Sequence, residues 1–421
     1  MSLIKNKILL NLPLYLVYAL CLGILLPPFI RNITIILTVT VSLFLFVKDS
    51  ERSINVPFLL LNAGIFLTYS ISLLYTHNLE IGFKKLETAL SLFAFPLIFA
   101  FLPQSIIQNL KSKLNVILML LIASGVGLVF ISFFIDLINH GLEAKFSSYV
   151  SRLQYTKTIY GIDNMYRSFH IGIALLSSFV LLYRYSNFLK WLYALVLILI
   201  SSTLLLIISS KVMVAASFIS LFAFAFLANT KKVIFALALI CGVLLTIAIY
   251  SPNLNNKITN LFTIKNERHA NITQQEVRGN LTHCTGKLLP EAGFFGFGIG
   301  DAKKKLVDCY NQIDSDLGDL KFNTHNQYFS IVLISGFLGL LVFIVFLLVN
   351  LVRSLNYKNY AAVVFIIFFS IVMFSENILE RHNGVIAFAF ILSLLLSLNL
   401  NNRNNKKVKS KVFFEATGHN I

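Results

Sequence analysis

His325 and Asn326 open the run HNQYFSIVLISGFLG, in which Gly336 and Gly339 complete the pattern His-Asn-x9-Gly-x2-Gly. The histidine stands where a long polar segment, 251–324, ends and an apolar run begins. An ionisable group at the mouth of a membrane is unfavourable there unless it has a task, so its position points to function. An imidazole with an ordinary pKa of about 6.5 can take a proton from a substrate near neutral pH. Several cations accompany it. Arg167 and His170 are three positions apart and share a helix face. Lys303, Lys304 and Lys305 follow Asp301, which can cap a helix and place all three lysines in its first turn. Cations there oppose the helix dipole, which calls for a nearby anion or for full solvation. Lys211 sits in SSKVMVAA between two apolar runs, where it can snorkel to the interface. Glu376, Glu380 and Arg381 precede the last apolar run, and Arg381 can form a structural pair with either carboxylate.

The elements that must position these residues are apolar. The chain of 421 residues is 57% hydrophobic and only 13% charged, with a mean hydropathy of +0.79, a balance that no soluble core needs. Apolar runs of about 18 residues or more read as transmembrane helices. About twelve are present, at 8–29, 33–47, 57–75, 83–102, 115–136, 166–183, 189–209, 212–229, 233–250, 326–352, 360–375 and 383–399. The expected fold is therefore an all-α polytopic membrane protein with one large outer loop domain. Nine helices fill 1–250, a loop with short helices fills 251–324, three helices fill 325–400, and a basic tail follows at 401–421. The first run is too long for a cleavable signal peptide, lacks a small-residue cleavage site and is followed at once by further spans. Within the loop, Val277, Leu281, Cys284, Leu288 and Leu289 have the spacing of a short helix lying on the membrane surface.

A net charge of +17 raises the question of nucleic acid. In a membrane protein, basic residues instead mark topology, since short cytoplasmic loops are enriched in Lys and Arg. With the N-terminus inside, every short inner segment carries at least two basic residues, such as Lys48 with Arg52 and Lys231 with Lys232. Both termini are then expected in the cytoplasm. The loops 137–165 and 251–324 lie outside, and long loops cross regardless of charge. Seven histidines (His77, His140, His170, His269, His283, His325 and His382) also fall outside, with His419 in the tail. The basic outer face suits a lipid-linked phosphate or an anionic glycolipid, and a solvated loop that holds anionic headgroups is the plainer alternative.

Other motifs carry less. Gly296, Gly298 and Gly300 make a Gly-x-Gly-x-Gly run, but a dinucleotide fingerprint needs a βαβ unit around it, and here it lies in an outer loop. Asp314 and Asp316 resemble a metal–nucleotide motif without the α/β domain that would use it. Cys284 and Cys309 share the outer loop, where an oxidising compartment would let them pair, whereas Cys21 and Cys241 lie in spans as packing residues. No metal-ligand spacing and no cofactor motif is found.

The His-Asn-x9-Gly-x2-Gly element, the order of about twelve spans, the long loop before the motif and the FGFGIGD run between Arg278 and His325 together resemble the O-antigen ligase family. Its superfamily also holds O-antigen polymerases and bacterial O-oligosaccharyltransferases. The resemblance covers most of the chain from the fifth span onward. It implies a metal-independent, inverting glycosyltransferase of the bacterial inner membrane with its active site facing the periplasm. Such an enzyme moves a glycan from undecaprenyl diphosphate to a sugar hydroxyl of lipid A–core, in lipopolysaccharide biosynthesis. By resemblance, Arg278 and His325 are the catalytic residues, and His325 is either the base or a ligand of the diphosphate. Lys211 falls where the family has an arginine, and lysine keeps the charge but loses the bidentate fork that grips phosphate. Lys211, Arg167, His170, Asn326, Lys303, Lys304 and Lys305 are candidate substrate-binding residues. Gly336, Gly339, Glu376 and Arg381 are expected to be structural, the glycines as a small-xx-small face that admits a neighbouring helix. A polymerase or protein O-oligosaccharyltransferase of the same superfamily remains open. So does a lipid-linked sugar flippase, although transporters usually show repeats and midplane charges that this chain lacks.

Overall fold

The computed structural model describes residues 2–49, 54–141, 162–208, 210–250, 268–269, 272–313 and 315–399. The tail at 401–421 and the loop stretches 142–161 and 251–267 lie outside the described residues. In chain order the helices are α1 (Ser2–Cys21), α2 (Pro28–Lys48), α3 (Val56–Asn62), α4 (Gly64–Ser72), α5 (Leu79–Ala89), α6 (Ser91–Phe101), α7 (Gln104–Ser112) and α8 (Leu114–His140). They continue as α9 (Asn164–Arg184), α10 (Phe188–Ile208), α11 (Lys211–Ala228), α12 (Lys231–Tyr250), α13 (Gln274–Ala292), α14 (Ala302–Ile313), α15 (Ser315–Leu320), α16 (Gln327–Asn356), α17 (Tyr360–Val372) and α18 (His382–Ser397). A small antiparallel ladder precedes α13 and pairs Arg268 with Thr273 and His269 with Ile272.

Helices thus cover the expected apolar runs, but not as twelve uninterrupted spans. Among the described residues, α2, α8, α9, α10, α11 and α16 are long and apolar enough to cross a membrane. The pair α6–α7, bent by 104°, would make a seventh. The run 57–75 is divided at Ala63 and the run 83–102 at Leu90. Just before the first break, the Asn62 side chain donates to the Phe58 carbonyl at 2.8 Å, the local bonding by which Asn competes with a helical ladder. Pro96 inside α6 deprives the second run of a backbone donor.

α9 is the centre of the bundle. It packs on α8, α10, α11 and α17, and every residue from Tyr166 to Leu182 is buried. A helix covered on all sides has no solvated face on which to hold polar groups. Its serines adapt by bonding their own ladder: Ser168 donates to the Asn164 carbonyl and Ser178 to the Ala174 carbonyl, each at 2.8 Å.

α16 is broken in its first half. Ser335 (φ −128°, ψ 16°) and Gly336 (φ 69°, ψ −171°) leave helical geometry. That break removes the helical partners of the Leu333 and Ile334 carbonyls and of the Phe337 and Leu338 amides. The glycine-rich run within the loop 251–324 replaces all four. Phe297 N donates to Leu333 O (2.8 Å) and Gly298 N to Ile334 O (3.0 Å). Phe337 N donates to Gly293 O and Leu338 N to Phe294 O, both at 3.1 Å. Non-helical backbone is tolerated at membrane depth only when protein satisfies it, and here a loop strand does so.

This corrects the expectation for the two glycines. They do not admit a neighbouring helix. Gly336 adopts a left-handed φ, and a Cβ there would lie 2.1 Å from the Phe294 carbonyl oxygen. A Cβ on Gly296 (φ 80°) would reciprocally meet Gly336 N at 2.5 Å. At Gly339 the obstacle is the Ser335 side chain of the same helix. The small-xx-small reading presumed a continuous helix, and the break removes that premise.

The two glycines should therefore respond differently to alanine. Gly336→Ala places a methyl against fixed backbone at a φ that costs a non-glycine residue about 1–3 kcal/mol before any clash is counted. Gly339→Ala meets a side-chain hydroxyl that can rotate away. Thermal unfolding in detergent should show Gly336→Ala markedly destabilised or not recoverable as a monodisperse protein, with Gly339→Ala much closer to wild type. Equal Tm values would contradict the assignment.

Candidate active site

His325 is the residue before the cap of α16. It is half exposed, and it holds φ at 49°, in the left-handed region that a non-glycine residue adopts only when its surroundings impose it. The surroundings are specific. Asn326 is the N-cap, its Oδ1 accepting from Tyr328 N (3.0 Å) and Phe329 N (3.1 Å). The Thr324 hydroxyl donates over His325 to the Asn326 carbonyl at 2.8 Å. Gln327 N donates to Met373 O, and Gln327 Oε1 accepts from Leu379 N, both at 2.8 Å. The histidine is thus fixed between a helix cap and the turn that follows α17.

That turn, 373–381, brings the carboxylates. Glu376 Oε2 lies 3.9 Å from His325 Nδ1, an ion-pair distance rather than a hydrogen bond. Asn377 is the hub: its Nδ2 lies 2.6 Å from Ser330 Oγ, 2.9 Å from Glu380 Oε1 and 3.0 Å from Thr324 Oγ1. The expected pairing of Arg381 with Glu376 or Glu380 is corrected here, because Glu376 faces His325, Glu380 faces Asn377 and Arg381 is exposed.

Beside the turn is a cavity whose polar lining comes from Lys85, Lys303, Asn323, Thr324, Ser330 and Glu380. Lys303 reaches it from the first turn of α14, with Nζ donating to the Lys321 carbonyl and to Asn323 Oδ1, each at 2.5 Å. Burial holds its ammonium well below the usual lysine range, at about 8, with Glu380 pulling upward and the cations Lys85 and Arg381 pushing further down. Three lysines in a row do not act alike. Lys304 is exposed, and Lys305 extends over the Phe297 ring at 5.7 Å, so only Lys303 lines the cavity.

Asp301 does not cap α14 with its carboxylate, as its position before the lysines had suggested. The carboxylate instead caps the turn after α4, accepting from His77 N (2.5 Å), Thr76 Oγ1 (3.1 Å) and Asn78 N (3.2 Å). Burial would raise its pKa, but these bonds outweigh burial and hold it below the ordinary carboxylate range. The same turn receives Gly300 N on Thr76 Oγ1 (2.9 Å) and Ile299 N on Ser72 Oγ (3.1 Å). The glycine-rich run is therefore held on one side by the broken α16 and on the other by residues 72–78. It delivers Lys303 to the cavity from a fixed anchor.

The remaining expected residues are dispersed. Arg278 lies on α13, and its side chain lies outside the described residues. Asp314 also lies outside them, as does the side chain of Asp316. Cys284 and Cys309 are disulfide-bonded with Cα atoms 5.8 Å apart, which fastens α13 to α14. α13 packs on α14 and α16 with Leu281, Cys284 and Leu288 buried, so its apolar face meets protein rather than a membrane surface. Lys211 starts α11 and is exposed. Arg167 and His170 are both buried on α9, and His170 lines a second cavity rather than that of Lys303. Asn326, expected to bind substrate, has its side chain committed to the helix cap and to the Phe374 carbonyl (3.2 Å).

Sequence reasoning missed Lys85, Asn323 and Asn377 and gave Glu380 only a pairing role. Lys85 and Asn323 carried no signal beyond polarity beside an apolar run. Asn377 and Glu380 carried one, since ENILE places polar groups in a short connection between two spans, where each must find a partner.

Residues 195–344 match the family model described as O-antigen ligase. The matched region begins in α10, contains the long loop, the disulfide and His325, and ends in α16 just past its break. No curated protein matches the chain.

The disulfide generates a prediction of its own. It links residues 25 positions apart, for which chain entropy gives about 3.5 kcal/mol of stabilisation. The double variant Cys284→Ser/Cys309→Ser should lower the thermal midpoint in detergent, and dithiothreitol should bring the wild type to the same value. A midpoint unchanged by both treatments would show that the α13–α14 contact holds without the bond.

Proposed function

We propose, from the match of residues 195–344 to the family model described as O-antigen ligase, that this chain is a membrane-embedded glycosyltransferase. It transfers a glycan from undecaprenyl diphosphate to a sugar hydroxyl of lipid A–core, on the periplasmic face of the bacterial inner membrane. The observation that carries the reading is His325, half exposed at the outer end of α16, held in a left-handed conformation with Glu376 on one ring nitrogen and the Lys303 cavity beside the same turn. With Nδ1 toward the carboxylate, Nε2 is the nitrogen assigned to the acceptor's proton in this reading.

The reaction follows from these groups. The acceptor oxygen attacks the anomeric carbon from the face opposite the leaving group, which inverts it. The C1–O bond to the diphosphate breaks as the new C1–O bond forms. His325 takes the hydroxyl proton, and Glu376 stabilises the resulting imidazolium. The departing diphosphate gains negative charge, which Lys303 and Arg278 offset, with Lys85 and Arg381 as further cations. Lys303 suits this role because burial leaves it few competing water contacts, and an arriving anion restores its preference for the charged form. The charge pattern supports a cytoplasmic position for both termini in this reading.

The test is transfer in vitro with purified protein, undecaprenyl-diphosphate-linked glycan and lipid A–core, with EDTA present. His325→Ala should lower kcat by about 10²–10⁴-fold, the range typical of a lost general base. Arg278→Ala should also be severely impaired. If wild type lengthens the lipid-linked glycan instead of modifying lipid A–core, the enzyme is a polymerase. If His325→Ala and Arg278→Ala transfer normally, the site assignment is wrong.

The ionisation of Lys303 adds a pH prediction. Its ammonium is charged below about 8 and neutral above, so kcat/KM, which reports the free enzyme, should fall on the alkaline side near pH 8. Lys303→Arg keeps the charge at higher pH and should move that limb upward, while Lys303→Met should remove it along with most of the activity. An alkaline limb that stays in place in Lys303→Arg would assign it to another group.

A further inference from the structure

The turn that gives Glu380 to the first cavity is followed at once by α18, whose first turn gives Asn383 to a second one. This second cavity is partly open, and its polar lining is Arg31, Ser124, His170 and Asn383. The rest is mostly apolar, with Ile24, Leu121 and Phe390 among the walls.

Arg31 is the unusual member. It is only 4% exposed. One terminal nitrogen donates to Asn383 Oδ1 at 2.8 Å, and among the described residues its Nε has no hydrogen-bond partner. No carboxylate lines the cavity among those residues. A buried guanidinium without a counter-charge is strongly unfavourable, and the group that relieves it is an anion matched to its planar donor fork. His170 narrows the choice of anion. Its Nδ1 lies 2.8 Å from the Tyr166 carbonyl, which can only accept, so Nδ1 carries the hydrogen and Nε2 is an acceptor when the ring is neutral. A carboxylate has no proton to give such an acceptor. A phosphate monoester, whose second proton leaves only at a pKa of about 6, has one to give, and an apolar site favours the less charged form. The apolar walls then call for a hydrocarbon stem on the same molecule.

We propose that this cavity is a lipid-headgroup site that takes a phosphate monoester on an apolar chain, with Arg31 binding the anion and His170 accepting its remaining proton. The site does not depend on the transfer reaction, because none of its polar groups takes part in the Lys303 cavity. Asn383 holds the guanidinium in place, and Ser124, whose hydroxyl donates to Leu121 O at 2.8 Å, bounds the polar part.

The experiment uses the full chain in detergent and measures saturable binding of dioctanoyl phosphatidic acid by native mass spectrometry. Dioctanoylglycerol serves as the phosphate-free arm and inorganic phosphate as the chain-free arm. Wild type should bind the phosphatidic acid at least tenfold more tightly than either. Arg31→Gln should lose at least tenfold, and Lys303→Met should bind as wild type does. Ser124→Phe, which fills the cavity and leaves Arg31 intact, should lose binding as well, and it decides the matter if Arg31→Gln does not fold. Unchanged binding in both Arg31→Gln and Ser124→Phe overturns the proposal. Binding lost only in Lys303→Met moves the lipid to the first cavity and overturns it too. Inorganic phosphate binding as tightly as the lipid would leave a free-anion site and overturn the lipid assignment, and dioctanoylglycerol binding as tightly would overturn the role of the phosphate.

Discussion

The break in α16 is the constraint on which the rest of the site depends. A helix that loses two ladder bonds inside a membrane exposes two carbonyls and two amides, each of which would be left unsatisfied by several kcal/mol of lost bonding in hydrocarbon. Residues 293–298 satisfy all four, with Gly296 and Gly336 permitting the approach of the two backbones. The consequence is positional. The break lies about 15 Å along the helix from His325, taking about 1.5 Å per residue. The loop is therefore threaded down beside α16, and the segment that leaves it, Asp301 to Lys303, returns to the level of the histidine from a fixed point. Asp301 then fastens the same segment to the turn after α4 through three bonds. Lys303 is a long flexible side chain, yet its Cα is set by backbone contacts on two sides.

The second determinant is the Asn377 hub. Thr324, Ser330 and Glu380 all lie within hydrogen-bond reach of one side-chain amide nitrogen, and Gln327 binds the same turn through both its backbone and its side chain. Most of these polar groups are buried, and the bonds between them tie the two segments together although Asn377 Oδ1 and Gln327 Nε2 have no hydrogen-bond partner. It holds the loop before α16 and the turn after α17 as one unit. That explains how His325 can keep a left-handed backbone: its neighbours on both sides, Thr324 and Asn326, are anchored, and the strain falls on the residue between them.

Much of this was legible in the sequence, and the part that was not has a physical reason. The apolar runs announce a helical membrane protein because composition over about twenty residues is a local property. His325 and the glycines stood out because their spacing is local too. The meaning of Gly336 was misread because helical spacing arithmetic assumes a continuous helix, and the break depends on a strand contributed from some forty residues upstream. Asp301 looked like a cap for its own helix because capping is usually local, whereas its actual partners are Thr76, His77 and Asn78, a relation that only tertiary packing creates. The three lysines at 303–305 are equivalent in sequence and are separated only by the direction each takes from α14. The Asn377 hub needed no long reach to be suspected, since ENILE concentrates polar groups where the bilayer tolerates few.

The turn between α17 and α18 joins two polar environments that the chain could have kept apart. Its first part binds α16 through Met373, Asn377 and Leu379. The first turn of α18, directly after it, binds the start of α2, with Asn383 Oδ1 accepting from Arg31 and His382 Nε2 3.1 Å from Asn32 Oδ1. Between them the chain has little slack, since a Cβ on Gly384 would fall 2.3 Å from the Ile378 carbonyl oxygen. Glu376 and Glu380 are consequently placed by backbone contacts at both ends of a short turn rather than by flexible side chains alone. A site that must stabilise charge appearing on both a histidine and a departing anion gains most from groups whose positions are settled before the substrate arrives, because no reorganisation is then needed as the charge develops.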